Sequence, residues 1–304
     1  MVKAGSESGI IEKLIDRFLS SADVSENTAR TYREALWKFV GWASSRDGLK
    51  LEEIEKTDIR EYREWLKGHR AANTVSTYIV ALRRFFDYCV SEGLLVQNPA
   101  QGVKGARKPQ GHLRQDLSRA EIRALFAAID RSTLVGKRDF AIVNLMARNG
   151  LRIIELQRAN VGDLETLRGR KILRIRGKGR DEKDEFTVLA EPTEEALRDY
   201  LTARGKPGDD EPLFVGVGGR NKGRRLTRWA IRQRVTKYMT KAGVKRERVT
   251  PHSLRHSFIT LAIEGGATLE EAQIAARHRS IETTRRYFHE HDRLERPVED
   301  RIEI

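Results

Sequence analysis

The chain has 304 residues, 39% apolar and 34% charged, with 58 Lys and Arg against 44 Asp and Glu. That length suits two domains, the composition excludes a disordered tail, and no apolar run approaches the ~20 residues of a membrane span. The net charge of +14 and pI of about 10.0 point to a polyanionic partner, nucleic acid first and an acidic membrane surface second, because Lys and Arg displace counterions condensed on DNA.

The opening MVKAGSESGI has no apolar stretch of the kind that marks export, so a cytoplasmic location is expected. Ile10, Ile11, Leu14, Ile15, Phe18 and Leu19 recur at helical spacing, and Tyr32, Leu36, Phe39 and Val40 repeat the pattern after Ser25. Two further helices fit Lys56–Lys67 and Asn73–Glu92, closed by Gly93 and the Asn98-Pro99 turn. Residues 1–103 therefore predict a small all-helical domain. Cys89, the single cysteine, falls in its apolar stretch RRFFDYCVSEGLL and reads as core filler, with no disulfide framework or Cys-based metal cluster to belong to.

Residues 104–116, which overlap the Gly-, Pro- and Arg-containing run Gly102–Arg114, predict a basic linker. A second domain, residues 117–290, opens with Ser118 and Glu121 at capping-box spacing. It is mainly helical, except that KILRIR and EFTVLA alternate around a Gly-Lys-Gly-Arg-Asp turn and predict a β-hairpin over Lys171–Ala190 with Lys178 at its tip. The expected fold is thus mainly α with a small β element: a helical N-terminal domain plus an α+β domain. Thr227–Ala242 predicts a helix with Ile231, Val235 and Met239 on one face and Arg228, Arg232, Arg234, Lys237 and Lys241 spread over the rest. Those five suit either a solvated surface or a DNA groove. Residues 291–304 form a charged tail ending Ile302-Glu303-Ile304.

Several short segments carry chemistry. Asn149-Gly150 ends an apolar helix and presents Arg152 with Glu155 three positions on, a pattern that alone reads as an ordinary ion pair rather than a site. In Thr250-Pro251-His252-Ser253-Leu254-Arg255-His256, His252 and Arg255 lie one helical turn apart and both can reach one phosphate, or can simply decorate a helix start. Arg277-His278-Arg279 and Tyr287 follow, a tyrosine that alone would be a packing residue.

Taken in order, Arg152, Lys178, His252, Arg255, His278 and Tyr287 resemble the active-site series of the tyrosine recombinases, the phage-integrase and Xer family. Asn27-Thr28 with Tyr32, and Asn98-Pro99-Ala100, resemble that family's N-terminal core-binding domain, so the likeness covers nearly the whole chain. Two departures stand out. Ala276-Arg277 precedes His278 where the family usually has Leu-Gly, and Asp181-Glu182-Lys183-Asp184 replaces a more basic run after the hairpin lysine.

The resemblance implies a site-specific recombinase that cuts and rejoins DNA through a 3′-phosphotyrosyl link to Tyr287, with Tyr238 as the next phenol to consider. It implies Arg152 and Arg255 as phosphate ligands, His252 and His278 as hydrogen-bond or proton-exchange groups, Lys178 as the acid for the leaving 5′ oxygen, and Glu155 as support for Arg152. No metal or nucleotide cofactor is expected, since the covalent link conserves the bond energy and neither a Walker A motif nor a magnesium-type carboxylate set is found. The implied partners are double-stranded DNA with paired recognition sites and four copies of the chain in a synapse, with the tail of residues 291–304 touching a neighbouring protomer. A type IB topoisomerase would share the same chemistry, and a catalytically silent DNA-binding protein would share the charge and helices.

Overall fold

The computed structural model describes residues 4–46, 50–107, 116–176, 183–278, 280, 281 and 284. The chain divides into two compact units, Met1–Gly111 and His112–Ile304.

The first unit contains α1 (Ala4–Ser21), α2 (Glu26–Ser44), a short 3₁₀ turn, α3 (Lys56–His69) and α4 (Ala72–Ser91). Ser25 caps α2 by accepting from the Thr28 N–H, and Asp58 reaches back to the Glu55 N–H at the start of α3 (2.8 Å). The apolar stripes meet in one core, where Phe39 lies edge-to-face with Tyr62 and Phe86 at 5.1 and 6.0 Å. Cys89 is wholly buried there, and burial pushes its thiol up to about 12, so it is packing and not a nucleophile. Asn98 closes the unit, donating to Arg83 O at 2.9 Å and Asp87 Oδ1 at 2.7 Å while accepting from the Ala100 N–H.

The second unit runs α5 (Arg119–Ala127), α6 (Leu134–Arg148), α7 (Ile153–Arg158), β1 (Leu164–Leu167), β2 (Arg170–Ile175), β3 (Glu185–Val188), α8 (Glu191–Arg204), α9 (Arg228–Lys241), α10 (Ser253–Glu264) and α11 (Leu269–Ala276). The capping box at α5 forms as its spacing predicts, with Ser118 and Glu121 exchanging backbone N–H bonds at 2.9 and 3.2 Å. α6 is the centre of this unit: Ile142, Val143, Leu145 and Met146 are each at most 1% exposed, and α8 and α10 pack against it.

The expected hairpin is present as β2 and β3, with Ile172 opposite Val188 and Ile175 opposite Glu185. A further strand was not anticipated. β1 pairs antiparallel with β2, and Leu167 faces Arg170 across the two-residue turn Arg168-Gly169, both at positive φ, as a type I′ hairpin requires. Among the described residues no helix is long and apolar enough to cross a membrane.

Candidate active site

The site is built where three helix ends meet. α6 stops at Asn149, and Gly150 turns the chain at φ +61°. Leu151 then enters the core, its N–H bonding back to Leu145 O at 3.1 Å. The turn leaves Arg152 at the start of α7, where its backbone N–H donates to Glu155 Oε2 at 2.7 Å and its Nη1 to Oε1 at 2.6 Å. The ordinary ion pair foreseen in the sequence is therefore real. It does not exclude a functional role, because Arg152 keeps 26% of its side chain exposed while Glu155 is fully buried.

Arg255, in the first turn of α10, is 2% exposed. Its guanidinium donates to the carbonyls of Gly150 and Ala276, so it ties the end of α6 to the end of α11. Arg152 reaches the same end through Nη2 to Arg277 O at 3.4 Å. His278 follows directly, with its Nδ1 2.9 Å from Thr284 Oγ1. Burial, and then the fields of Arg255 and Arg152, His256 and Arg277, lower its pKa to about 4, so its imidazole is neutral at pH 7 in the DNA-free protein. His252 precedes α10, its ring edge-to-face with that of His256 at 4.9 Å. Lys178 and Tyr287 lie outside the described residues.

One participant escaped the sequence reading. Arg277, noted there only as a departure, donates through Nη2 to Glu155 Oε2 at 3.3 Å, and its side chain is 4% exposed. Burial alone would raise the Glu155 pKa, but Arg277 first and Arg152 second hold the carboxyl below its usual range. Glu155 is therefore a carboxylate shared between two guanidiniums.

Tyr238 is a poor alternative nucleophile. Its hydroxyl donates to Asp139 Oδ2 at 3.1 Å, and burial together with that carboxylate pushes its phenol up to about 12, away from the ionised form that attack needs. Asp139 also takes Arg138 Nε and Nη2 at 2.8 and 2.6 Å, an ion pair wholly inside the unit.

On α9, Ile231, Val235 and Met239 are buried, and Arg228, Arg232, Lys237 and Lys241 are exposed. Arg234 is half-buried and pairs with Asp139 at 3.3 Å, and Lys241 donates to Ala128 O at 2.8 Å. Trp229, 69% exposed between Arg228 and Arg232, was not singled out in the sequence.

Residues 115–293 match the model of the phage integrase family, and residues 11–93 match the model of the phage integrase N-terminal SAM-like domain. The chain belongs to the phage integrase family. This recombinase is 30% identical to the tyrosine recombinase XerD of Xanthomonas axonopodis pv. citri over 93% of both chains. It is 28% identical to XerD of Vibrio cholerae over 93% of this chain and 92% of that one. Among solved structures it is similar to the XerH site-specific recombinase bound to palindromic difH in a post-cleavage complex, with a TM-score of 0.75 and 25% identity over 89% of this chain and 78% of that one. The recombinase acts in site-specific DNA recombination by the tyrosine mechanism, and neither the topoisomerase nor the silent DNA-binding reading is favoured beside these relatives.

Proposed function

We propose that each copy of the recombinase cuts one DNA strand through Tyr287, with Arg152 and Arg255 as the phosphate ligands. The observation that carries this reading is the convergence of the two arginines, from separate elements, on the carbonyls that end α11 beside His278. Their planar donors match the nonbridging phosphate oxygens and stay charged throughout the reaction, stabilising the pentacoordinate transition state. Glu155 fixes the plane of Arg152.

The Tyr287 oxygen forms a bond to phosphorus as the bond from phosphorus to the 5′ oxygen breaks. The phenolic proton passes to a neighbouring base, for which His278 and His252 are the candidates, and Lys178, between β2 and β3, supplies the proton that the departing 5′ oxygen takes. A neutral His278 can accept a proton, and an arriving phosphodiester anion offsets the arginine fields that lower its pKa. A 5′-hydroxyl then reverses the step on the phosphotyrosine, so no nucleotide or metal is required for the exchange.

The same reading assigns residues 1–103 to gripping the duplex, residues 104–116 to a basic linker and residues 117–290 to catalysis. Arg228, Arg232, Arg234, Lys237 and Lys241 face the DNA. Exchange between two duplexes needs four strand breaks, hence four copies on paired recognition sites, with residues 291–304 contacting a neighbour. The palindromic DNA of the XerH complex supports paired half-sites, and DNA as substrate supports action in the cytoplasm.

The test is a duplex carrying the target site and a nick that traps the covalent product. Tyr287→Phe should bind the site as tightly as the parent and form no protein–DNA adduct, whereas an adduct in that variant would overturn the assignment. Lys178→Ala should lose roughly 10²–10⁴-fold in cleavage rate and recover most of it when sulfur replaces the bridging 5′ oxygen, because a thiolate leaves without a proton. An equal defect on both substrates removes Lys178 from proton transfer.

A further inference from the structure

Arg277 occupies a backbone position that disfavours it. At the end of α11 it takes φ +53° and ψ +48°, the left-handed region in which the Cβ of an L residue crowds the following carbonyl and glycine meets no such obstacle. An arginine held there needs compensating contacts from its side chain. They are present: Nη1 donates to Ala275 O at 2.8 Å, and Nη2 lies 3.4 Å from Asn149 O and 3.3 Å from Glu155 Oε2.

The division of Glu155 is what matters for chemistry. Its Oε1 takes Arg152 Nη1, and its Oε2 takes the Arg152 backbone N–H and Arg277 Nη2. With its side chain fully buried, Glu155 has no water to spread its charge. With Arg152 as its one close cation, such a carboxylate directs its charge at the guanidinium and offsets the positive charge a phosphate has to meet. Arg277 shares the second oxygen with the Arg152 N–H and adds a guanidinium, so Glu155 lies in the field of three, those of Arg277, Arg152 and Arg255, while Glu185 acts on Arg277 from further off.

We propose that Arg277 is a positioning residue for strand cleavage, holding Glu155 so that the Arg152 guanidinium contacts it through a single oxygen and turns its other N–H donors to the scissile phosphate. The inference rests on Arg152 being a phosphate ligand. Arg277 acts on the reaction only through Glu155 and Arg152.

Arg277→Gly is the informative variant, because glycine accepts the left-handed backbone and keeps the carbonyl that receives Arg152, so only the side chain is removed. It should bind target DNA within about threefold of the parent and cleave it about 10- to 100-fold more slowly in single turnover, the scale of removing a preorganised electrostatic contact. Arg277→Lys, which restores the charge, should recover part of the rate. In a Glu155→Gln background Arg277→Gly should cause no further loss, since the carboxylate through which it acts is gone. Parent-like cleavage by Arg277→Gly overturns the proposal, and so does an undiminished defect in the Glu155→Gln background, which marks a merely structural role. Arg152→Ala separates the two levels. If it cleaves normally, the phosphate-ligand assignment falls and takes this inference with it; if it is inactive while Arg277→Gly is normal, the inference alone fails.

Discussion

Replacing Gly150 with alanine probes the turn on which both arginines depend. Two effects add. At φ +61° an L residue costs about 1–2 kcal/mol more than glycine. The new Cβ would also lie 2.5 Å from Cδ1 and 3.0 Å from Cε1 of Phe258, well inside the ~3.5–4.0 Å optimum for carbon pairs, and forcing a carbon into a packed site costs about 1–3 kcal/mol. The sum, about 2–5 kcal/mol, should lower the melting midpoint of the second unit by roughly 4–20 °C at about 2–4 °C per kcal/mol for a unit of this size. Chemistry should suffer with stability, because Gly150 O accepts from Arg255 and Arg152 is two residues further on. Single-turnover cleavage, measured well below the new midpoint, should fall at least about tenfold, on the scale of a displaced transition-state contact, with specific binding retained. Calorimetry resolves the transition of the second unit, since a chain of two compact units need not melt in one step. Adding Phe258→Leu should restore part of the steric share and none of the dihedral share. A Gly150→Ala protein that melts within about 2 °C of the parent and cleaves at the parent rate refutes the reasoning.

Two further outcomes follow from buried charge. Asp139→Ala strips Arg138, wholly buried, of its carboxylate, and should cost about 3–5 kcal/mol in denaturant unfolding; a loss under about 1 kcal/mol would mean that Arg138 finds another partner. His278, lowered to about 4 from 6.5, should show that low value by NMR titration of the DNA-free protein. Because the native pKa lies below the unfolded one, the unfolded chain binds the proton first as pH falls. The stability contribution is therefore complete above about pH 6.5 and lost between there and about pH 4. An imidazole titrating near 6.5 would place His278 in solvent, out of its buried site and away from the arginines.

Much of the framework is legible from local pattern. The apolar repeats that define α1 and α2, the Ser118–Glu121 box and the alternation of KILRIR against EFTV depend on neighbours a few residues apart, and each appears in the structure. β1 was missed because LETL is only four residues long and carries little alternation; its one usable signal was Gly169 in the turn to β2. For the site, the order Arg152, Arg255, His278 was readable only through its resemblance to a family, since each segment alone admitted an ordinary structural role.

The sequence by itself determined the helical pattern and the basic charge, because periodicity, capping and composition are properties of near neighbours. Lys178 and Tyr287 are proposed from the family resemblance, since both lie outside the described residues. Only the tertiary structure decided that Glu155 is shared between Arg152 and Arg277, that Arg255 ties Gly150 to Ala276, and that Asp139 holds Arg138, Arg234 and Tyr238. Apart from Arg152–Glu155 and Arg138–Asp139, which are near neighbours, those pairings join residues far apart in the chain, and they depend on the packing of α6, α9, α10 and α11 and on the left-handed turns at Gly150 and Arg277. Neither is encoded in the spacing of residues along any one element, so the charge gathered at the proposed phosphate site is set by how the ends of α6 and α11 meet the start of α10.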